Sequence, residues 1–188
     1  LYAAKLVSRF HPAVIVSSGL ALGALGYLFV VFFGSRNDLL LMLSFMFLGL
    51  SVGAAQTISN DLILSSVPAN KAGAASAISE TAYEFGTVLG TVVIGGMLTA
   101  IYRAQVTVPA GLNADATHAA GETLGGATAV AGQLPSDLSA ELLHSAHAAF
   151  DSGVLVTATF SAVLLAVLSV FTYRMLRSAP AELEKAEH

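Results

Sequence analysis

The chain has 188 residues, of which 55% are hydrophobic and 11% charged, with a formal net charge of -4 and a mean hydropathy of +0.76. Soluble domains carry about 25% charged residues, so this balance points to the bilayer, and the eight scattered Lys and Arg make no basic patch for nucleic acid. Cysteine is absent, which removes disulfides and thiolate metal sites.

The chain opens Leu1-Tyr2-Ala3-Ala4-Lys5 without Met, has no cleavable leader before its first apolar run, and reads as part of something longer. Spanning a bilayer takes about 20 consecutive apolar residues. After a polar lead, expected to be a cytoplasmic loop at residues 1–12, residues 13–33 qualify, with Gly19, Gly23 and Gly26 reading as a packing face. The turn-like Gly34-Ser35-Arg36-Asn37-Asp38 precedes a second span at residues 39–62. Gly49, Gly53, Gln56 and Asn60 share one helical face there, two small residues followed by two polar ones, which favours close packing over ligand contact. Asp61 is placed at the inner boundary, where Lys71 can neutralise it. A loop through Pro68 leads to the third span, residues 73–102, and the fourth is residues 153–173, followed by a tail at 174–188.

Residues 104–152 are too long for a plain connection, since structureless loops beyond about 15 residues are uncommon. Pro109, Gly111 and Asn113 break the exit from the third span. Residues 117–133 are Ala-rich and read as a helix weakened by Gly121, Gly125, Gly126 and Gly132. Pro135, Ser136 and Asp137 signal the start of a second helix near Leu138. The expected fold is thus all-α and polytopic, four transmembrane helices with a helical hairpin between the last two. Orientation follows the Lys and Arg of the flanks. With both termini cytoplasmic, Lys5, Arg9, Lys71, Arg174, Arg177 and Lys185 fall inside, and Arg36 and Arg103 outside. The hairpin then faces the exterior, and residues 104–152 contain no Lys or Arg.

Glu80 and Glu84 interrupt the third apolar run. A carboxylate at the centre of a membrane helix costs roughly 3 kcal/mol or more, so a span that carries two is expected to use them. On a helical wheel Ser76, Glu80, Glu84, Thr87 and Thr91 fall within an arc of about 80°, with Ile78, Phe85, Leu89 and Val92 opposite. Such a helix turns its polar stripe to a water-filled cavity, and Tyr83 borders that stripe. Gln56 and Asn60 are further candidates to line the cavity. Gly86-x-x-x-Gly90 and Gly95-Gly96 on the same helix read as packing positions. His144 and His147, with Glu141, have spacings that suit metal ligation, but solvent-facing histidines are far more frequent on helix surfaces, and no metal or other cofactor is expected. No phosphate loop, nucleophile elbow or metalloprotease pattern is present, so no enzymatic chemistry is expected.

Residues 60–86 carry a resemblance, concentrated in the loop Val67-Pro68-Ala69-Asn70-Lys71-Ala72-Gly73 and in Ser79-Glu80-Thr81-Ala82-Tyr83-Glu84-Phe85-Gly86. This stretch resembles the fourteen-helix drug:proton antiporters of the major facilitator superfamily, of the QacA and SmvA type. The resemblance implies that the chain holds the last four helices of a bacterial plasma-membrane exporter of quaternary ammonium compounds, dyes and viologens. Its partners would be protons, cationic drugs, the bilayer and the remaining helices. Glu80 and Glu84 match two acidic positions implicated in cation recognition and proton coupling, and the long external segment before the last helix also fits. Ser79 departs from the pattern, since such pumps can carry a further acid there. Desolvation and mutual repulsion favour the protonated form of at least one glutamate, with Glu84, the deeper, expected to couple protons and Glu80 to recognise cations. The alternative from a different class is a non-transporting membrane module, or a channel subunit, whose hairpin binds a partner.

Overall fold

The computed structural model describes residues 12–34 and 38–178. Six α-helices follow in order: α1 (Pro12–Phe33), α2 (Asp38–Ser65), α3 (Ala72–Gln105), α4 (Ala114–Glu122), α5 (Leu124–Ala131) and α6 (Ser136–Ser178), with a 3-10 turn at Ala69–Lys71 leading into α3. The described residues form helices and the turns between them, with no strand, and four of the helices are long and apolar enough to cross a membrane. Two of the flanks used above, residues 1–11 and 179–188, lie outside the described residues, so Lys5, Arg9 and Lys185 carry no structural account, nor does Arg36. The chain divides into two compact units, Leu1–Gly86 with Ala158–His188, and Thr87–Thr157.

In the first unit, α1 is gripped by its neighbours. Lipid tails are as apolar as leucine, so helices in a membrane associate through close packing and interhelical hydrogen bonds rather than through hydrophobic burial. The glycines of α1 supply the closeness. A Cβ at Gly23 would lie 2.6 Å from Ser51 Oγ of α2 and 3.1 Å from Leu165 Cδ1 of α6, and one at Gly26 would lie 2.9 Å from Leu48. Serines supply the hydrogen bonds: Ser51 Oγ donates to the Gly19 carbonyl at 2.7 Å, and Ser169 Oγ to the Ser17 carbonyl at 2.7 Å. Phe29 meets Phe47 edge-on at 5.4 Å, and Ile15, Val16 and Ile58 form a small buried cluster. The packing face read at Gly19, Gly23 and Gly26 is the one the structure uses.

The other glycines behave differently. At Gly49, Gly53, Gly86, Gly90, Gly95 and Gly96 a Cβ would meet nothing within 4 Å. The close packing expected of Gly49 and Gly53 is absent among the described residues; both instead line a cleft of about 680 Å³ between α1 and α2. GxxxG permits approach without supplying a partner, and these positions have none of the serine contacts that hold α1.

The second unit has its own core, built from Tyr102, Ala120, Ala127, Val130, Ala131, Leu142, Ala146 and Ala149. Alanine at five of these positions lets short helices pack at close range. Tyr102 is 2% exposed, and its hydroxyl donates to the Ala120 carbonyl at 2.9 Å. Arg103 pairs with Glu122, and the Thr107 amide donates to Ser145 Oγ at 2.7 Å. Gly111, at a φ of +96°, makes the turn after Pro109. The Ala-rich stretch read as one helix over 117–133 is two, divided at Thr123. That residue is extended (φ -151°, ψ 155°) and its side chain accepts from the Gly126 amide, capping α5. Asn113 caps α4 in the same way, accepting from Ala116. The turn is tight enough that a Cβ on Gly126 would sit 2.0 Å from the Ala119 carbonyl oxygen. From Ser136 a single helix of 43 residues runs through the fourth apolar stretch to Ser178.

Candidate functional site

The acidic stretch lies in the part of α3 that belongs to the first unit. From Ala72 to Gly86, Ala72, Ala75 and Tyr83 are half-buried, Ser79 is buried, and every other residue is exposed. Those four recur at spacings of three and four, so they form one row along the helix. This row is where α3 meets its unit. At its end the Tyr83 hydroxyl donates to the Gln56 carbonyl of α2 at 3.3 Å. Ser79 is 5% exposed, so the position where an acid would add a charge faces the packed row instead.

Ser76, Glu80 and Glu84 occupy a separate face. At 100° per residue their row is centred roughly 90° round the helix from the packed one. Both carboxylates are exposed, and among the described residues the ion pairs are those of Glu122 with Arg103 and His118. The polar stripe therefore stands clear of the contact with α2. Ile78 is 71% and Phe85 64% exposed on the far side, so this stretch presents a polar face and an apolar face at once. Only 6% of the most apolar window of the third span is buried, against 39% for the first. A helix with this surface needs neighbours of two kinds, water or polar groups on one side and hydrocarbon on the other.

The remaining candidates separate. Tyr83 and the Gln56 backbone are brought together as described; the Gln56 side chain is exposed and Asn60 half-buried. Thr87 and Thr91 fall in the second unit, both exposed. Thr91 Oγ1 donates to the Thr87 carbonyl at 2.9 Å, so this hydroxyl is satisfied by its own helix and does not require a cavity. Asp61 and Lys71 are both exposed, and no ion pair joins them among the described residues. Glu141, His144 and His147 are exposed on α6, and no group of three or more metal-ligating side chains occurs among the described residues. Sequence reasoning missed Ser51 and Ser169, whose signal was available as serines at small-residue positions of apolar helices. It also missed the Tyr102 and Arg103 contacts, because their partners lie 18 and 19 residues on.

The chain is 49% identical over 164 residues to the multidrug efflux pump LfrA of Mycolicibacterium smegmatis, an alignment covering 86% of this chain and 32% of that protein. It is 32% identical over 179 residues to the methyl viologen resistance protein SmvA of Salmonella typhimurium, covering 94% of this chain and 36% of the relative. Along most of its own length the chain is thus similar to multidrug efflux proteins of the major facilitator superfamily. A third relative is the multidrug resistance protein Stp of Mycobacterium tuberculosis, 30% identical over 95 residues, which cover 50% of this chain and 18% of that one. No family model matches. The family likeness read from residues 60–86 thus extends along most of the chain, which spans about a third of the length of the curated relatives LfrA and SmvA. This likeness and four apolar helices of spanning length support a multi-pass membrane protein.

Proposed function

We propose that this chain is the C-terminal part of a proton-coupled antiporter that exports lipophilic cations such as quaternary ammonium compounds, dyes and viologens. The observation that carries this is the placement of Glu80 and Glu84, one turn apart on a face of α3 that its packing row leaves open. The names of LfrA and SmvA support a drug and viologen exporter.

The mechanism follows from charge. Two carboxylates within one helical turn concentrate negative charge that either a cationic drug or protons can neutralise. Open to the cytoplasm, the deprotonated pair attracts a cationic drug, and Ser76 and the ring of Tyr83 line the approach, the ring offering a cation–π contact. Open to the exterior, proton entry neutralises the site and the drug leaves. Glu84 couples protons and Glu80 recognises the cation. Alternating exposure comes from rocking of helix bundles about the site, and it needs helices beyond those described here. The protein sits in a bacterial plasma membrane with both ends of this segment cytoplasmic and residues 104–152 external. The absence of Lys and Arg from 104–152 supports that orientation.

The test is drug flux by the full-length protein in proteoliposomes with an imposed proton gradient. Export that stops when an ionophore collapses the gradient, with protons moving the other way, is the expected result. Ion conduction without proton exchange would favour a channel, and no drug flux at all would favour a non-transporting module.

A further inference from the structure

We infer that Tyr83 is a positioning residue, which sets the rotation of the acidic turn of α3 against α2; this rests on the antiporter reading of that turn. The row through which α3 meets its unit is Ala72, Ala75, Ser79 and Tyr83. Three of these side chains are small and permit rotation about the helix axis. Tyr83 is the bulky one, half-buried, and its hydroxyl reaches the Gln56 carbonyl at 3.3 Å. The acceptor is backbone, so the tether is independent of the Gln56 side chain.

Register makes this contact matter to the carboxylates. Tyr83 is three residues after Glu80 and immediately before Glu84, which places them about 60° and 100° round the helix from it. A rotation that breaks the contact therefore swings both carboxylates together and in the same sense. Ser79, one turn below, is buried, but its side chain is too short to fix an angle. The role is separate from the cation–π contact proposed above, because it belongs to the hydroxyl and the bulk of the ring rather than to its face.

The experiment uses the complete transporter in lipid nanodiscs, with spin labels on cysteines placed at Val52 and Ile78, both exposed and outside the acidic stripe. Tyr83→Phe keeps the aromatic face and removes the tether; Tyr83→Ala removes both. The inference expects Tyr83→Phe to broaden the distance distribution between the labels. It also expects that variant to raise KM for monocationic and dicationic drugs alike by roughly threefold, the scale of one hydrogen bond, and Tyr83→Ala to go further in both. A Tyr83→Phe protein with unchanged label distances and unchanged KM overturns the inference, as does a KM raised only by Tyr83→Ala while the distances stay fixed. If the distances broaden but the parent protein moves no drug, the positioning role stands and the antiporter reading fails.

Discussion

In the proposed mechanism Glu80 recognises the cation and Glu84 couples protons, although both are exposed on the same face of α3. A second negative charge matters most to a substrate with a second positive one. Glu80→Gln is therefore expected to weaken transport of dicationic drugs by about tenfold, the equivalent of about 1.4 kcal/mol, and to affect monocationic drugs far less. KM values for one drug of each kind check this; equal losses would remove Glu80 from charge recognition. The acidic pair was legible in the sequence because a charge inside an apolar run is conspicuous whatever surrounds it. Ser79 was not: one step along the chain turns a side chain by about 100°, and whether that direction meets a helix or an opening depends on neighbours that spacing does not name. Thr91 is a similar case, since its hydroxyl donates to the Thr87 carbonyl, a partner that its place on the polar stripe does not name.

Among the elements, the apolar helices were readable because hydropathy over 20 or so residues outweighs every local preference. The connection between α3 and α6 was harder. An Ala-rich stretch has high helix propensity, and the glycines in it read as weak points rather than as a corner. What makes the corner is the extended Thr123 capping α5 and the approach of Gly126 to the Ala119 carbonyl. Gly126→Val puts a side chain where even a Cβ would lie 2.0 Å from that oxygen, and the strain is expected to cost about 1–3 kcal/mol. Thermal unfolding of the detergent-solubilised protein should register the loss, while Gly121→Val, where a Cβ meets nothing within 4 Å, serves as the control. Equal melting of the two variants would mean that the corner is not built this way. The contrast between α1 and α3 has the same origin. Both carry glycine at packing spacings, yet Ser51 bonds the Gly19 carbonyl of α1, whereas a Cβ at Gly86, Gly90, Gly95 or Gly96 of α3 would meet nothing within 4 Å.

At the scale of the whole molecule, α1 and α3 differ in how much of their surface is covered, in a chain that spans about a third of the length of LfrA and SmvA. α1 finds partners on two sides within its unit, whereas the acidic stretch of α3 touches its unit along one row and leaves a polar face and an apolar face uncovered. A membrane places hydrocarbon on the apolar side; the polar side is where the proposed cavity belongs. In the proposed mechanism cation and proton compete for the same carboxylates. Proton release on drug binding measures that competition directly, in the full-length protein held in weakly buffered detergent solution. The prediction is that adding a cationic drug releases protons from the parent protein and that Glu84→Gln abolishes the release. Release of the same size from both proteins would contradict it.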